Sequence, residues 1–164
     1  NITEFPKIES IAVTQSQDFS DNTFITINVV GGKGPFLYQI NNDGFQTSNT
    51  FSNLTAGIYE IEVTDAISCS TKKTIVTLIH FPKYFTPNND GYNDTWTIDN
   101  LDEKATIRVF DRYGKFMVEL NAKNQNWDGT FSGTNLPADD YWFTLTYFQN
   151  GILKEYKNHF SLKR

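Results

Sequence analysis

The run Gly57 to Asp65, GIYEIEVTD, repeats with a period of two: Tyr59, Ile61 and Val63 fall on one side, Ile58, Glu60, Glu62 and Thr64 on the other. A helix would scatter both sets around its circumference, whereas a pleated strand sorts them into one apolar and one wet face. Similar short runs lie near residues 8–15, 24–30, 36–40, 49–54 and 71–78. They are separated by VVGGKGPF, NNDG and TAGIY, whose Gly, Asn and Asp allow positive φ and tight reversals. Aromatics make up 15% of the chain, and Val, Ile and Thr recur where a helical protein would carry Ala and Leu. Nothing here reads as a long helix. An immunoglobulin-like antiparallel β-sandwich over residues 1–80 accounts for this spacing of strands and turns.

Several function classes drop out. The formal net charge is -5 and the basic residues are scattered, so the chain carries no nucleic-acid footprint. Cys69 is alone, which excludes an intrachain disulfide or a CxxC metal pair; it reads as a small core hydrophobe, since neither His80 nor His159 is near it in sequence. No apolar stretch reaches the roughly 20 residues of a membrane helix, so direct membrane insertion is not expected. The first residues, NITEFPKIES, lack a basic and then apolar leader, and the chain is expected to be part of a longer exported protein. Without a nucleophile–base pair or a phosphate loop, no enzyme activity and no certain cofactor are expected.

Pro82 removes a backbone donor where a strand pattern ends, and this predicts a boundary between residues 1–80 and 81–164. Beyond it, strands are expected near 94–98, 105–110, 116–120, 141–148 and 154–162. DRYGK and QNGIL each place a glycine between two such runs, which signals hairpins. YWFTLTYF, apolar at nearly every position, should cover a wide apolar surface or be buried on both faces. The expected fold is all-β, two consecutive sandwiches of immunoglobulin-like type.

Candidate chemistry gathers in PNNDGYND. Asn88, Asp90, Asn93 and Asp94 crowd oxygens around Gly91, as calcium loops do, although the twelfth position counted from Asn88 is Asp99 rather than Glu. The alternative is an Asx-rich turn whose side chains cap backbone amides. Asp111 and Arg112 read either as a recognition pair or as a turn cap beside a solvent-facing arginine. Trp96, Trp127 and Trp142 read first as core and second as a sugar-stacking surface.

Taken in order, FPKYFTPNNDGYNDTW, IRVFDRYGKF, NWDGTFSG and LPADDYWF resemble the gliding-motility-associated C-terminal domain of Bacteroidetes, the type B sorting domain of the type IX secretion system. Asp139 stands where that family usually has glycine, and Tyr113 where it has tryptophan. The first half, through Gly31, Gly32, Pro35, Phe36, Tyr38, Leu54, Gly57, Tyr59, Val63, Thr64, Asp65 and Cys69, resembles the SprB-type repeat of large adhesins, with Ser68 in place of the usual glycine. The resemblance implies a monomeric module whose cargo crosses the inner membrane by an upstream signal peptide and is then taken through the type IX translocon. It also implies docking on an outer-membrane protein of the PorP/SprF class at the cell surface. Asp111, Arg112, Tyr113, Trp127, Asp128 and Arg164 are the expected partner-binding residues. The competing readings are a carbohydrate-binding module and a passive adhesin stalk.

Overall fold

The computed structural model describes residues 6–65, 70–149 and 151–164, and no helix occurs among them. Cys69, read above as a core residue, lies outside the described residues. The chain divides into two compact units, Asn1–His80 and Phe81–Arg164.

In the first unit, β1 (Ile8–Gln15), β2 (Phe24–Gly31) and β4 (Thr50–Ser52) form one antiparallel sheet in the order β1-β2-β4. Strands β3 (Phe36–Ile40), β5 (Gly57–Asp65) and β6 (Thr71–Leu78) form a second, in the order β3-β5-β6. The inward residues of both sheets meet in one core of Ile8, Ile25, Ile27, Tyr38, Ile40, Ile61, Val63, Val76 and Leu78. The predicted alternation in β5 holds at Ile61 and Val63, which are fully buried opposite exposed Ile58 and Glu60. Tyr59, which leads into the strand, donates its hydroxyl to the Thr55 carbonyl at 2.7 Å and so ties the corner before β5. The run expected at 49–54 shrinks to three residues, because Asn53 takes a positive φ and turns the chain out of the sheet.

The second unit is built on one sheet. Strands β7 (Tyr84–Phe85), β8 (Thr106–Phe110), β9 (Phe116–Leu120), β12 (Asp139–Gln149) and β13 (Ile152–Leu162) pair in the order β7-β13-β12-β8-β9. Only β7 runs parallel to its neighbour, through Tyr84 opposite Ser161 and Phe85 opposite Leu162. A small hairpin of β10 (Thr130–Phe131) and β11 (Thr134–Asn135) stands apart from the sheet. In β12, Tyr141, Phe143, Leu145 and Tyr147 point inward, while Trp142 and Phe148 are 43% and 39% exposed. The strand therefore covers a core on one face only.

No strand forms at 94–98. That segment follows a turn-rich loop, and its sheet-like pairing is reduced to a single antiparallel bridge between Trp96 and Trp127. Their rings replace the missing strand: Trp96 stacks on Phe160 at 3.9 Å and 12°, and Trp127 meets Tyr141 edge-on at 5.2 Å. Each indole N–H is anchored to backbone, Trp96 to the Pro82 carbonyl at 2.8 Å and Trp127 to that of Thr130 at 2.9 Å. Large rings with a polar handle can close a core from irregular segments, because each buries much area from one attachment point.

Candidate functional site

The four sequence signatures of the second unit fold into one connected set of loops. Arg164 joins three of them. Its Nε donates to the Leu136 carbonyl at 3.0 Å, while Nη2 donates to the Gly129 carbonyl at 3.2 Å and to Asn135 Oδ1 at 3.3 Å. Nη1 reaches the Pro87 carbonyl at 3.5 Å. A guanidinium suits this position because its planar fork offers five donors and no acceptor. Gly129 lets it seat: φ is +76°, and a Cβ there would lie 2.5 Å from Leu162 Cδ1 and 3.4 Å from Arg164 Nη2. Asp128 Oδ1 takes the Thr130 N–H at 3.0 Å and its hydroxyl at 2.8 Å, so the aspartate of the WDG turn caps its own turn.

The DRYG hairpin joins the same set. Asp111 Oδ1 accepts the N–H groups of Tyr113 at 2.8 Å and Lys115 at 2.9 Å, which is the turn-capping reading of that residue. Arg112 does not simply face solvent. Its Nε donates to Asp139 Oδ2 at 2.7 Å and Nη2 forms a second, very short bond to the same atom. Arg112 raises no barrier to this, since its own pKa moves up while the hydrogen bond and charge hold the Asp139 carboxyl below the usual carboxylate range. Asp139, in the place where glycine was expected, has no positive φ. It serves instead as the acid that ties the hairpin to the start of β12. Lys115 lies over the Phe131 ring at 4.5 Å, which links the hairpin to β10 as well. Tyr113 at its tip is 85% exposed and Tyr92 in PNNDGYND is 77% exposed.

The oxygen-rich loop is a capped turn. Asp94 Oδ1 accepts the N–H groups of Asn88 at 3.0 Å and Asn89 at 2.6 Å, and Oδ2 accepts that of Gly91 at 2.8 Å. These bonds, chiefly the one from Gly91, depress the Asp94 pKa. Asp90 accepts the Tyr92 N–H at 2.8 Å and the Asn88 side-chain amide at 2.8 Å, and Asn88 Oδ1 accepts the Asp90 N–H at 3.1 Å. Asn93, the fourth expected oxygen donor, adopts a positive φ and gives its backbone carbonyl to the Thr86 N–H at 2.7 Å. A hard cation needs six to eight oxygens converging on it, whereas N–H groups point at these carboxylates. The contacts are those of a capped turn, and no group of three or more acids, histidines or cysteines that could hold a metal occurs among the described residues.

Sequence reasoning placed Trp127 at a partner surface, yet it is 3% exposed and belongs to the core, as does Trp96. It missed the Arg112–Asp139 pair and the reach of Arg164. Both join residues at least 27 positions apart, which no local pattern shows. Among the remaining expected residues, Asp111 and Asp128 cap turns, Arg164 braces loops, and Tyr113 stands free of the core.

No curated protein sequence matches the chain. Among solved structures, a biofilm associated protein, BSP domain, is 13% identical with a TM-score of 0.30, covering 93% of this chain; the chain spans 29% of that protein's length. A family model described as the CHU_C type IX secretion signal domain matches residues 79–162, which takes in the second unit up to the end of β13 but not Arg164. This chain belongs to the family of the CHU_C type IX secretion signal domain, whose members direct secreted proteins to the type IX machinery.

Proposed function

We propose that residues 81–164 form a type B sorting domain that carries a surface protein, of the gliding-motility adhesin kind, through the type IX translocon of a Bacteroidetes cell. The observation that carries this is the family match over residues 79–162 on a self-contained unit. The domain hands its cargo to an outer-membrane partner of the PorP/SprF class and holds it at the cell surface. Recognition acts on a folded, monomeric domain. The loop set braced by Arg164 is the natural contact surface, because exposed tyrosines and arginines are the residues that dominate protein interfaces. Residues 1–80 are a SprB-type repeat acting as a spacer that presents whatever lies before it. Their two-sheet core supports that reading.

The test is export. Residues 81–164 fused behind a periplasm-directed fluorescent protein should bring fluorescence to the surface or medium of a type IX-competent host. Retention in the periplasm there, while an established type IX cargo is exported from the same cells, defeats the proposal.

A further inference from the structure

The outer face of the five-stranded sheet carries a line of rings. In strand register, His159 on β13 lies opposite Trp142 on β12, Trp142 opposite Phe110 on β8, and Phe110 opposite Phe116 on β9. Four adjacent strands thus place an aromatic ring in one row, perpendicular to the chain direction and about 14 Å long at three inter-strand spacings. The rings pair at each end of the row: His159 and Trp142 are 5.8 Å apart and Phe110 and Phe116 are 6.1 Å apart, centre to centre, while strand register alone relates Trp142 to Phe110. Trp142 is 43% and Phe116 47% exposed. Inward-pointing side chains of the same strands already make the core, so the row holds nothing together inside.

The flanking rows are polar. On one side Asp140 accepts the Ser161 hydroxyl at 2.6 Å. On the other, Thr144 stands in register between Arg108 and Lys157. The charges there pair with each other, Arg108 with Glu119 at 3.0 Å and Lys157 with Glu155 at 2.8 Å. Along that border the charges are paired, so an ionic ligand gains little from them, and Asp140 on the other border adds a negative charge that disfavours an anion.

We propose that this row is a binding platform for a neutral, linear polysaccharide, lying across the strands with the C–H faces of its sugars on the rings and its hydroxyls toward the polar rows. Size argues for this occupant over a protein. A stable protein interface engages about 20–30 residues a side, whereas the row is one side chain wide and four long. A chain of sugars has those proportions, an apolar face with hydroxyls along both borders. The platform stands on the fold alone and is independent of how the domain is exported.

The full 164-residue chain would be run in native gels containing hydroxyethylcellulose, xyloglucan, galactomannan or laminarin, with alginate as the anionic control. Retardation by at least one neutral polymer and none by alginate is expected. Trp142→Ala and Phe116→Ala, on different strands, should each weaken it at least tenfold, whereas Ile75→Ala, an exposed position on β6 of the first unit, should not. Trp142→Tyr should restore most of it. Because Trp96 and Trp127 are buried, a fluorescence change on adding polymer reports on Trp142, and it should vanish in Trp142→Tyr while retardation persists. Circular dichroism and thermal melts must show that both alanine variants fold. No retardation by any neutral polymer overturns the platform. So does retardation by alginate alone, binding unchanged in both folded alanine variants, or a dimer that those variants dissolve.

Discussion

The two units solve one problem differently. Each has an apolar sheet face to cover, and each enters a long strand through the same corner. LTAGIY places the Tyr59 hydroxyl on the Thr55 carbonyl at 2.7 Å, and LPADDY places that of Tyr141 on the Pro137 carbonyl at 3.0 Å. Beyond the corner they diverge. The first unit opposes two three-stranded sheets, and its central core cluster is aliphatic apart from Tyr38, with Phe36, Phe51 and Tyr59 packed at the margin. The second has one five-stranded sheet, covered by loop-borne Phe81, Trp96 and Trp127 packed on Phe143, Tyr141 and Phe160. A regular strand can fill a core with many small side chains because its neighbours bring more of them. An irregular segment delivers few inward positions, so each must be large and hydrogen-bonded at its polar edge. Regularity and ring size trade against each other.

Removing one ring tests this most severely. Trp96→Ala should cost about 4 kcal/mol, near the upper end for a buried large-to-small change, because it empties a fully buried site and leaves the Pro82 carbonyl without its indole donor. Ile61→Val in the first unit, which removes one methylene from an equally buried site, should cost about 1 kcal/mol. Urea unfolding followed through the remaining tryptophans measures the first, and amide exchange along β5 measures the second. Equal losses would show that the aromatic cover carries no more than the aliphatic core.

The corner glycines sharpen the contrast at a smaller scale. Gly57 and Gly129 both stand beside family signatures, but a Cβ on Gly57 meets the Tyr59 ring at 3.7 Å, which is ordinary contact, with no positive φ. On Gly129 it would meet Leu162 at 2.5 Å with φ at +76°. Gly129→Ala should therefore destabilise by about 2–4 kcal/mol, the strain and overpacking adding, while Gly57→Ala should stay within about 0.5 kcal/mol. Thermal melts of both variants check it; a tolerated Gly129→Ala would mean that the end of β13 can shift away from the WDG turn.

The same contrast explains what the sequence could reveal. Period-two alternation locates β1, β2, β3, β5 and β6, and it breaks where consecutive residues are buried, as at Tyr38, Gln39 and Ile40 in β3 and at Val63, Thr64 and Asp65 in β5. The hairpins at DRYGK and around Gly151 are equally legible, since each needs its turn residue. The tyrosine corner is readable from Leu-x-Ala-x-x-Tyr spacing in both units. Trp96 misleads because its surroundings, DTWTI, read as a strand when the residue works as a plug from a loop. The oxygen-rich loop also reads two ways: a turn and a cation site use the same residues, and only the direction of the N–H groups separates them. The ring row is hidden for another reason, since its members lie on four strands and register alone aligns them.

Acid provides the finest distinction. In the second unit the pKa values of Asp94 and Asp139 are depressed, the first chiefly by the Gly91 N–H and the second by Arg112. A depressed carboxyl contributes stability that is present above its unfolded pKa, near 3.9, and lost as pH falls through its lower folded value. The first unit has shifts of another kind. Its shifted groups are Lys73, raised by Glu60 and Glu62, and Tyr38, raised by burial. Their contributions are present below the unfolded values and lost as pH rises past them, in an alkaline limb that the second unit shares through buried Tyr141. Below pH 4 the second unit should thus weaken. Both acids are half-buried at the surface and the effect is small, but the chain offers a clean probe, since Trp96, Trp127 and Trp142 all lie in the second unit. The tryptophan melting temperature should fall between pH 4.5 and 2.5. Asp139→Asn should flatten part of that fall, and added salt should flatten the same part by screening the Arg112 pair while sparing the share held by the Asp94 backbone bonds. A fall that neither change alters would place the acid sensitivity outside the loops that brace the second unit.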